Sequence, residues 1–282
     1  MAVSTDPMVA TDWLAERLGE PGLVIVDATW FMPGEPRDAR AEHAERHIPG
    51  AVFFDIDEVS DHSSDLPHML PAPADFATHA RRLGVDPDSR VVVYDAQGLF
   101  SAPRVWWTFR AMGHQAMFVL DGGLPKWIAE GRPVEQGWPQ NPHGTFKARP
   151  DAALVRDFDG VREALGSDSA QVLDARAAAR FRGDAPEPRA DLRAGHMPGA
   201  VNLPWTDIVA DGRLLDVETL RARFAAAGVD LDRPIVTSCG SGVTASTLAL
   251  ALARLGRSDV AVYDASWVEW GARADAPVAV GP

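Results

Sequence analysis

Short apolar, β-branched runs alternate along this chain with stretches whose apolar residues recur at helical spacing. The runs are V-I-V-D-A at residues 24–28, V-V-V-Y-D at 91–95, F-V-L-D at 118–121, Q-V-L-D-A at 171–175, I-V-T-S-C at 235–239 and V-Y-D at 262–264. Runs this short and this continuously apolar predict strands covered on both faces. Between them, residues 12–18, 76–84, 104–113, 161–166 and 220–228, and the stretch after Cys239, predict helices. The alternation predicts an α/β protein whose sheets are mostly parallel, with helices on both faces.

The pattern occurs twice. V-I-V-D-A matches Q-V-L-D-A, H-I-P-G-A-V at 47–52 matches H-M-P-G-A-V at 196–201, and V-V-V-Y-D matches I-V-T-S-C. F-V-L-D-G-G at 118–123 matches V-Y-D-A-S at 262–266, and Trp127 then matches Trp270. Order and spacing agree, so each half is one domain of a tandem repeat. The Pro/Gly-rich stretch 130–144 falls where the halves join. We therefore expect a first domain at 1–132, a linker at 133–149 and a second domain at 150–282.

The only cysteine, Cys239, lies in P-I-V-T-S-C-G-S-G-V-T-A-S-T-L at 234–248. A strand ends at the thiol, a short glycine-containing loop follows, and a helix begins. Unpaired N–H groups and the positive end of the helix dipole favour thiolate there. Gly240 and Gly242 are expected to let the loop wrap the sulfur as a nest of inward N–H groups. A lone cysteine is otherwise a small buried hydrophobe; the strand–loop–helix setting argues for a reactive one. A cysteine-dependent phosphatase would need an arginine six residues on to grip a phosphate dianion, and Ala245 stands there.

The repeat is also an internal control, because one half lacks the thiol. His47 and His196 occur in both halves and read as turn residues. Asp27, Asp174, Asp121 and Asp264 read as strand-end groups that bind loop backbone. Trp127 and Trp270 read as core. Asp95 stands where Cys239 stands, and a carboxylate cannot accept and pass on sulfur, so the first domain is expected to be catalytically silent.

The 282 residues have a formal net charge of -13, which disfavours nucleic acid and anionic membrane as partners. One cysteine cannot close an internal disulfide, and no Cys/His cluster has zinc spacing. No apolar stretch is long enough to span a bilayer, and the first residues lack the pattern of a secretory leader. A cytoplasmic location is expected. Lysine occurs only at Lys126 and Lys147, so a single arginine is weak evidence of a site.

The tandem repeat, the H-x-P-G-A turns and C-G-S-G-V-T-A resemble the two-domain, rhodanese-fold sulfurtransferases. F-F-D-I-D, P-H-M-L-P and S-A-P-R-V-W-W in the first half extend the resemblance, as do R-F-R-G, E-P-R and Y-D-A-S-W-V-E-W in the second. Thiosulfate-using members resemble Cys-Arg-Lys-Gly-Val-Thr; Gly240 and Ser241 here resemble the branch that uses 3-mercaptopyruvate. A neutral loop beside the sulfur, with arginines further off, suits a monoanion better than a compact dianion.

The resemblance implies that Cys239 takes sulfur from 3-mercaptopyruvate, releases pyruvate and passes the sulfur to a thiol such as thioredoxin, or to cyanide. It implies no metal or organic cofactor. It assigns substrate binding to Arg180 and Arg189, with Arg176 and Arg182 close by in sequence, and a persulfide cradle to Gly240, Gly242, Val243 and Thr244. It further implies a polar relay of Asp57, His68 and Ser241 that protonates the departing enolate or polarises the donor carbonyl. The plain alternatives are surface arginines, a helix-capping Ser241 and a structural His68. Two other activities stay open: sulfur transfer from thiosulfate to cyanide, and a sulfur-carrier or regulatory module without catalysis.

Overall fold

The computed structural model describes residues 6–282. Residues 1–5, the start of the stretch that lacks a leader pattern, lie outside the described residues. The chain divides into two compact units. One comprises the chain up to Asp61, Leu70–Asp151 and Asp211–Leu214; the other comprises His62–Met69, Ala152–Ala210 and Leu215–Pro282.

The first unit holds strands β1 (Met8–Val9), β2 (Leu23–Asp27), β3 (Val52–Phe53), β4 (Arg90–Tyr94) and β5 (Met117–Leu120) in the order β1-β5-β4-β2-β3. Every pairing is parallel. Its helices are α1 (Thr11–Ala15), α2 (Ala39–Glu45), α3 (Pro73–Arg82), α4 (Ala102–Ala111) and α5 (Gly123–Ala129). Alternation along the strands sends Ile25, Val92, Tyr94, Phe118 and Leu120 to one face, where they pack with Leu14 and Trp127 from α1 and α5. Val24, Val26, Val91, Val93 and Val119 point to the other face and are buried too. Both faces are therefore covered, as continuous apolar strands require.

The second unit repeats the design. Strands β6 (Val155–Arg156), β7 (Gln171–Asp174), β8 (Val201–Asn202), β11 (Ile235–Ser238) and β12 (Ala261–Tyr263) form a parallel sheet in the order β6-β12-β11-β7-β8. The short strands β9 (Val209–Ala210) and β10 (Arg213–Leu214) fall at the unit boundary. The helices are α6 (Phe158–Ser167), α7 (Ala178–Arg182), α8 (Val217–Ala226), α9 (Ala245–Arg254) and α10 (Ser266–Trp270). Asp157 and Asp216 cap α6 and α8 by accepting the N–H groups of Gly160 and Thr219. In each sheet the central strand, β4 or β11, ends at the position of Asp95 or Cys239.

The matched residues take matched roles. His47 Nδ1 meets the His43 carbonyl at 2.7 Å, and His196 Nδ1 meets the Phe181 carbonyl at 2.8 Å, so each histidine ties down a helix. Both are buried turn residues. Trp127 and Trp270 are core, their indoles donating to the Pro133 and Pro277 carbonyls. Asp27 and Asp174 accept the N–H groups of Thr29 and Arg176, as strand-end turn formers do. Asp121 departs from expectation: its carboxylate takes Lys126 and Arg213, because two cations lie within reach. Among the described residues, no helix is long and apolar enough to cross a membrane.

Candidate active site

Cys239 is the first residue beyond β11 and is 2% exposed. Its backbone is clamped by the start of α10. Trp267 N–H donates to the Cys239 carbonyl at 3.0 Å, and Val268 N–H donates to the Gly240 carbonyl at 2.9 Å. The Ser266 hydroxyl accepts the Cys239 N–H at 3.1 Å and donates to the Tyr263 carbonyl at 2.8 Å. Ser266 makes these bonds at φ +54°, a left-handed conformation disfavoured for a residue with a Cβ. Among the described residues, no main-chain carbonyl takes the N–H groups of residues 241–245. They lead into the ten-residue α9, whose positive dipole end adds to their pull on an anion.

The two loop glycines are not equivalent. Gly242 has φ +80°, like its counterpart Gly98 at φ +99°, so the turn needs glycine there. Gly240 does not lie in the left-handed region, and a Cβ on it would meet nothing nearer than Arg180 Nη2, at 3.4 Å. The expectation that both glycines serve the turn is corrected: Gly240 leaves space in front of Arg180. Val243 is buried, and Thr244 is the half-buried residue that precedes α9.

The first unit displays what such a loop binds. One bond of the clamp recurs, Leu124 N–H donating to the Asp95 carbonyl at 3.0 Å, while Gly123 at φ +53° stands in the place of Ser266 and Pro125, without an N–H, in that of Val268. The Asp95 carboxylate folds back into its own loop and accepts N–H groups from Gln97, Phe100, Ser101 and Ala102 at 2.8–2.9 Å. Burial pushes its pKa up, against the pull of those four donors. The first unit's loop is thus a cradle of N–H groups already filled by a side-chain carboxyl.

Arg180 is carried by α7. Its Nη2 donates to Glu187, and its side chain is 25% exposed. Arg176 is the inner member of the same group: Nε and Nη2 meet Asp174, Nη1 meets Glu187 at 2.8 Å, and Nη2 also meets the Gly195 carbonyl at 2.9 Å. Burial pulls the Arg176 pKa down, and Asp174 and then Glu187 more than reverse it. The guanidinium stacks 4.1 Å above Trp267, the residue that clamps Cys239. Arg176 is thus a buried strut. Arg182 pairs with Asp184. Arg189 is half-buried in the 176–195 segment.

His68 is buried and has φ +61°. It belongs with Ser241 to the second unit, because Leu66 and Met69 of its segment pack on the core formed by Phe158, Trp267 and Trp270. Asp57 belongs to the first unit, where it accepts the Trp30 indole N–H at 2.9 Å. Among the described residues, no three His, Cys, Asp or Glu side chains are grouped to hold a metal ion. Sequence reasoning missed Glu187 and Ser266. For Ser266 a signal existed: the repeat aligns it with a glycine.

Comparison with known proteins gives a consistent answer. The rhodanese-like domain model matches residues 10–130 and 157–273. The chain is 48% identical over 277 residues to a 3-mercaptopyruvate sulfurtransferase of Escherichia coli (strain K12), covering 98% of this chain and 99% of that one. It is 46% identical over 275 residues to a thiosulfate sulfurtransferase of Gallus gallus, covering 95% and 94%. The crystal structure of SseA from Escherichia coli, described as a 3-mercaptopyruvate sulfotransferase, superposes with a TM-score of 0.86 at 45% identity, covering 93% of this chain and 98% of that one.

Proposed function

The chain belongs to the rhodanese family, and from that premise we infer that it is a sulfurtransferase that takes sulfur from 3-mercaptopyruvate, carries it as a persulfide on Cys239 and releases pyruvate. The observation that carries this reading is the buried Cys239 at the head of a loop whose N–H groups are left for an anion, with Arg180 beside Gly240. A non-enzymatic module would need neither.

In the first half-reaction the Cys239 thiolate attacks the donor sulfur. A sulfur–sulfur bond forms, the carbon–sulfur bond breaks, and its electron pair leaves on carbon as the enolate of pyruvate, which then takes a proton. The negative charge gathers on the outer persulfide sulfur, and the loop N–H groups supply fixed, desolvated donors for it. Asp95 in the first unit supports this role, since it places an anion in the same kind of loop. Arg180 and Arg189 would hold the donor carboxylate. Ser241, with His68 of the same unit, would deliver the proton. In the second half-reaction an acceptor thiolate attacks the outer sulfur, and Cys239 leaves as thiolate.

We take the acceptor to be a thiol, with thioredoxin the type, and place the enzyme in the cytoplasm, where a lone free cysteine stays reduced. Thiosulfate is the second donor to weigh, because the thiosulfate sulfurtransferase of Gallus gallus is nearly as similar as the Escherichia coli relative. Steady-state turnover on both donors decides. The expected result is a larger kcat/KM for 3-mercaptopyruvate with stoichiometric pyruvate; a larger value for thiosulfate would move the assignment to that donor.

A further inference from the structure

Three of the four groups beside the loop are buried, and their charges alternate. Asp174, Arg176 and Glu187 have side chains 0%, 1% and 1% exposed, and Arg180 closes the series at 25%. Asp174 already satisfies Arg176 through a two-pronged contact. Glu187 therefore has a different task. One of its oxygens meets Arg176 and the other meets Arg180. Among the described residues, Glu187 is the only acceptor for the Arg180 side chain, whose Nε is buried without a partner.

Two consequences follow. The orientation of the Arg180 guanidinium over Gly240 depends on one carboxylate. The four charges also sum to zero, so Arg180 faces the donor as a compensated cation. A compensated cation can hold a singly charged carboxylate through its remaining N–H groups, but it attracts a dianion weakly. A desolvated counter-charge at hydrogen-bond distance outweighs the distant net charge of the protein in setting this preference.

We propose that Glu187 is the positioning residue for Arg180 and that its buried negative charge selects monoanionic over dianionic sulfur donors. The proposal rests on the reading that Arg180 binds the donor.

The test compares Glu187→Gln and Glu187→Asp with the parent protein on 3-mercaptopyruvate and thiosulfate, with thermal melting as the control for folding. Gln keeps the size and an acceptor oxygen but removes the charge. The expected result is a rise of about tenfold in the thiosulfate-to-mercaptopyruvate ratio of kcat/KM, shrinking as salt is added. Asp keeps the charge but shortens the reach. KM for both donors should then rise together, with kcat and the ratio held. An unchanged ratio in folded Glu187→Gln would overturn the proposal, as would a swing toward thiosulfate in Glu187→Asp. If Glu187→Gln does not fold, the Asp variant decides alone: a common KM rise supports the proposal and unchanged kinetics overturn it. Arg180→Ala separates the two claims. Unchanged KM for 3-mercaptopyruvate there would remove the reading of Arg180 itself. A raised KM there with an unchanged ratio in Glu187→Gln removes only the role given to Glu187.

Discussion

Replacing Asp95 with alanine should damage the first unit and spare the chemistry. The Asp95 side chain is fully buried and accepts four backbone N–H groups, from Gln97, Phe100, Ser101 and Ala102. Alanine would strand all four donors, and each buried orphan costs about 1–3 kcal/mol. Two effects offset part of that sum. The carboxylate's own burial penalty, visible in its raised pKa, disappears, and water can enter the space it leaves. A net loss of about 3–5 kcal/mol remains, the range for breaking a buried, hydrogen-bonded charge. At roughly 4 °C per kcal/mol, the melting temperature of that unit falls by roughly 12–20 °C. Asp95→Asn should lose less, because its carbonyl oxygen can still take up to about two of the donors. The assay pairs a melting curve with pyruvate release measured well below the transition. Turnover per folded molecule should stay within about twofold of the parent, a change of less than about 0.5 kcal/mol in barrier. The reasoning fails if Asp95→Ala melts with the parent protein. It fails equally if turnover collapses in a variant whose melting is intact.

The remaining expectations concern the second unit and the acid limb of stability. Ser266→Ala should lose about 1–3 kcal/mol, since the Cys239 N–H and the Tyr263 carbonyl lose their buried partner; Ser266→Gly should recover about 1 kcal/mol of that by relieving the φ of +54°. Calorimetry that ranks Gly below Ala would contradict the strain. Arg180→Ala and Arg189→Ala should each raise KM for 3-mercaptopyruvate by an amount worth about 2 kcal/mol, with lysine rescuing only partly; unchanged KM and kcat would return both to the surface. The Thr11 hydroxyl, then Arg132 and Lys126, hold the Glu130 pKa down at about 2 from an ordinary 4.5. A depressed carboxylate stabilises the fold above its unfolded pKa and loses that contribution as pH falls through its folded value. Urea midpoints of the parent and Glu130→Gln should therefore converge as pH drops from about 4.5 toward 2; a gap constant across that window would contradict the assignment.

Much of this molecule was legible in the sequence because its pattern is written twice. Two sets of short apolar runs, with H-x-P-G-A turns at matching places, imply two α/β sheets, and the two strand orders are indeed the same. The same doubling singled out Cys239 by contrast with Asp95. The repeat marked Asp95 as silent but not as occupied, since its fold-back onto four N–H groups is a matter of loop geometry. Gly240 and Gly242 look alike in sequence, and only their backbone angles separate a required glycine from an open space. Glu187 is one of 40 acidic residues, and no spacing distinguishes the one that reaches both Arg176 and Arg180. Residues 62–69 sit in the first half of the chain but pack with the second unit through Leu66 and Met69, a tertiary preference that local pattern does not encode.

The central claim is that sulfur travels on Cys239. Its most direct test is the intact mass of the protein after brief exposure to 3-mercaptopyruvate without an acceptor, beside the same measurement on Cys239→Ser. The account predicts a gain of one sulfur atom on the parent protein, removed by a small thiol or cyanide, with one pyruvate released per sulfur loaded and no gain on the serine variant. Pyruvate released with no sulfur on the parent, or sulfur loaded equally onto Cys239→Ser, would contradict it.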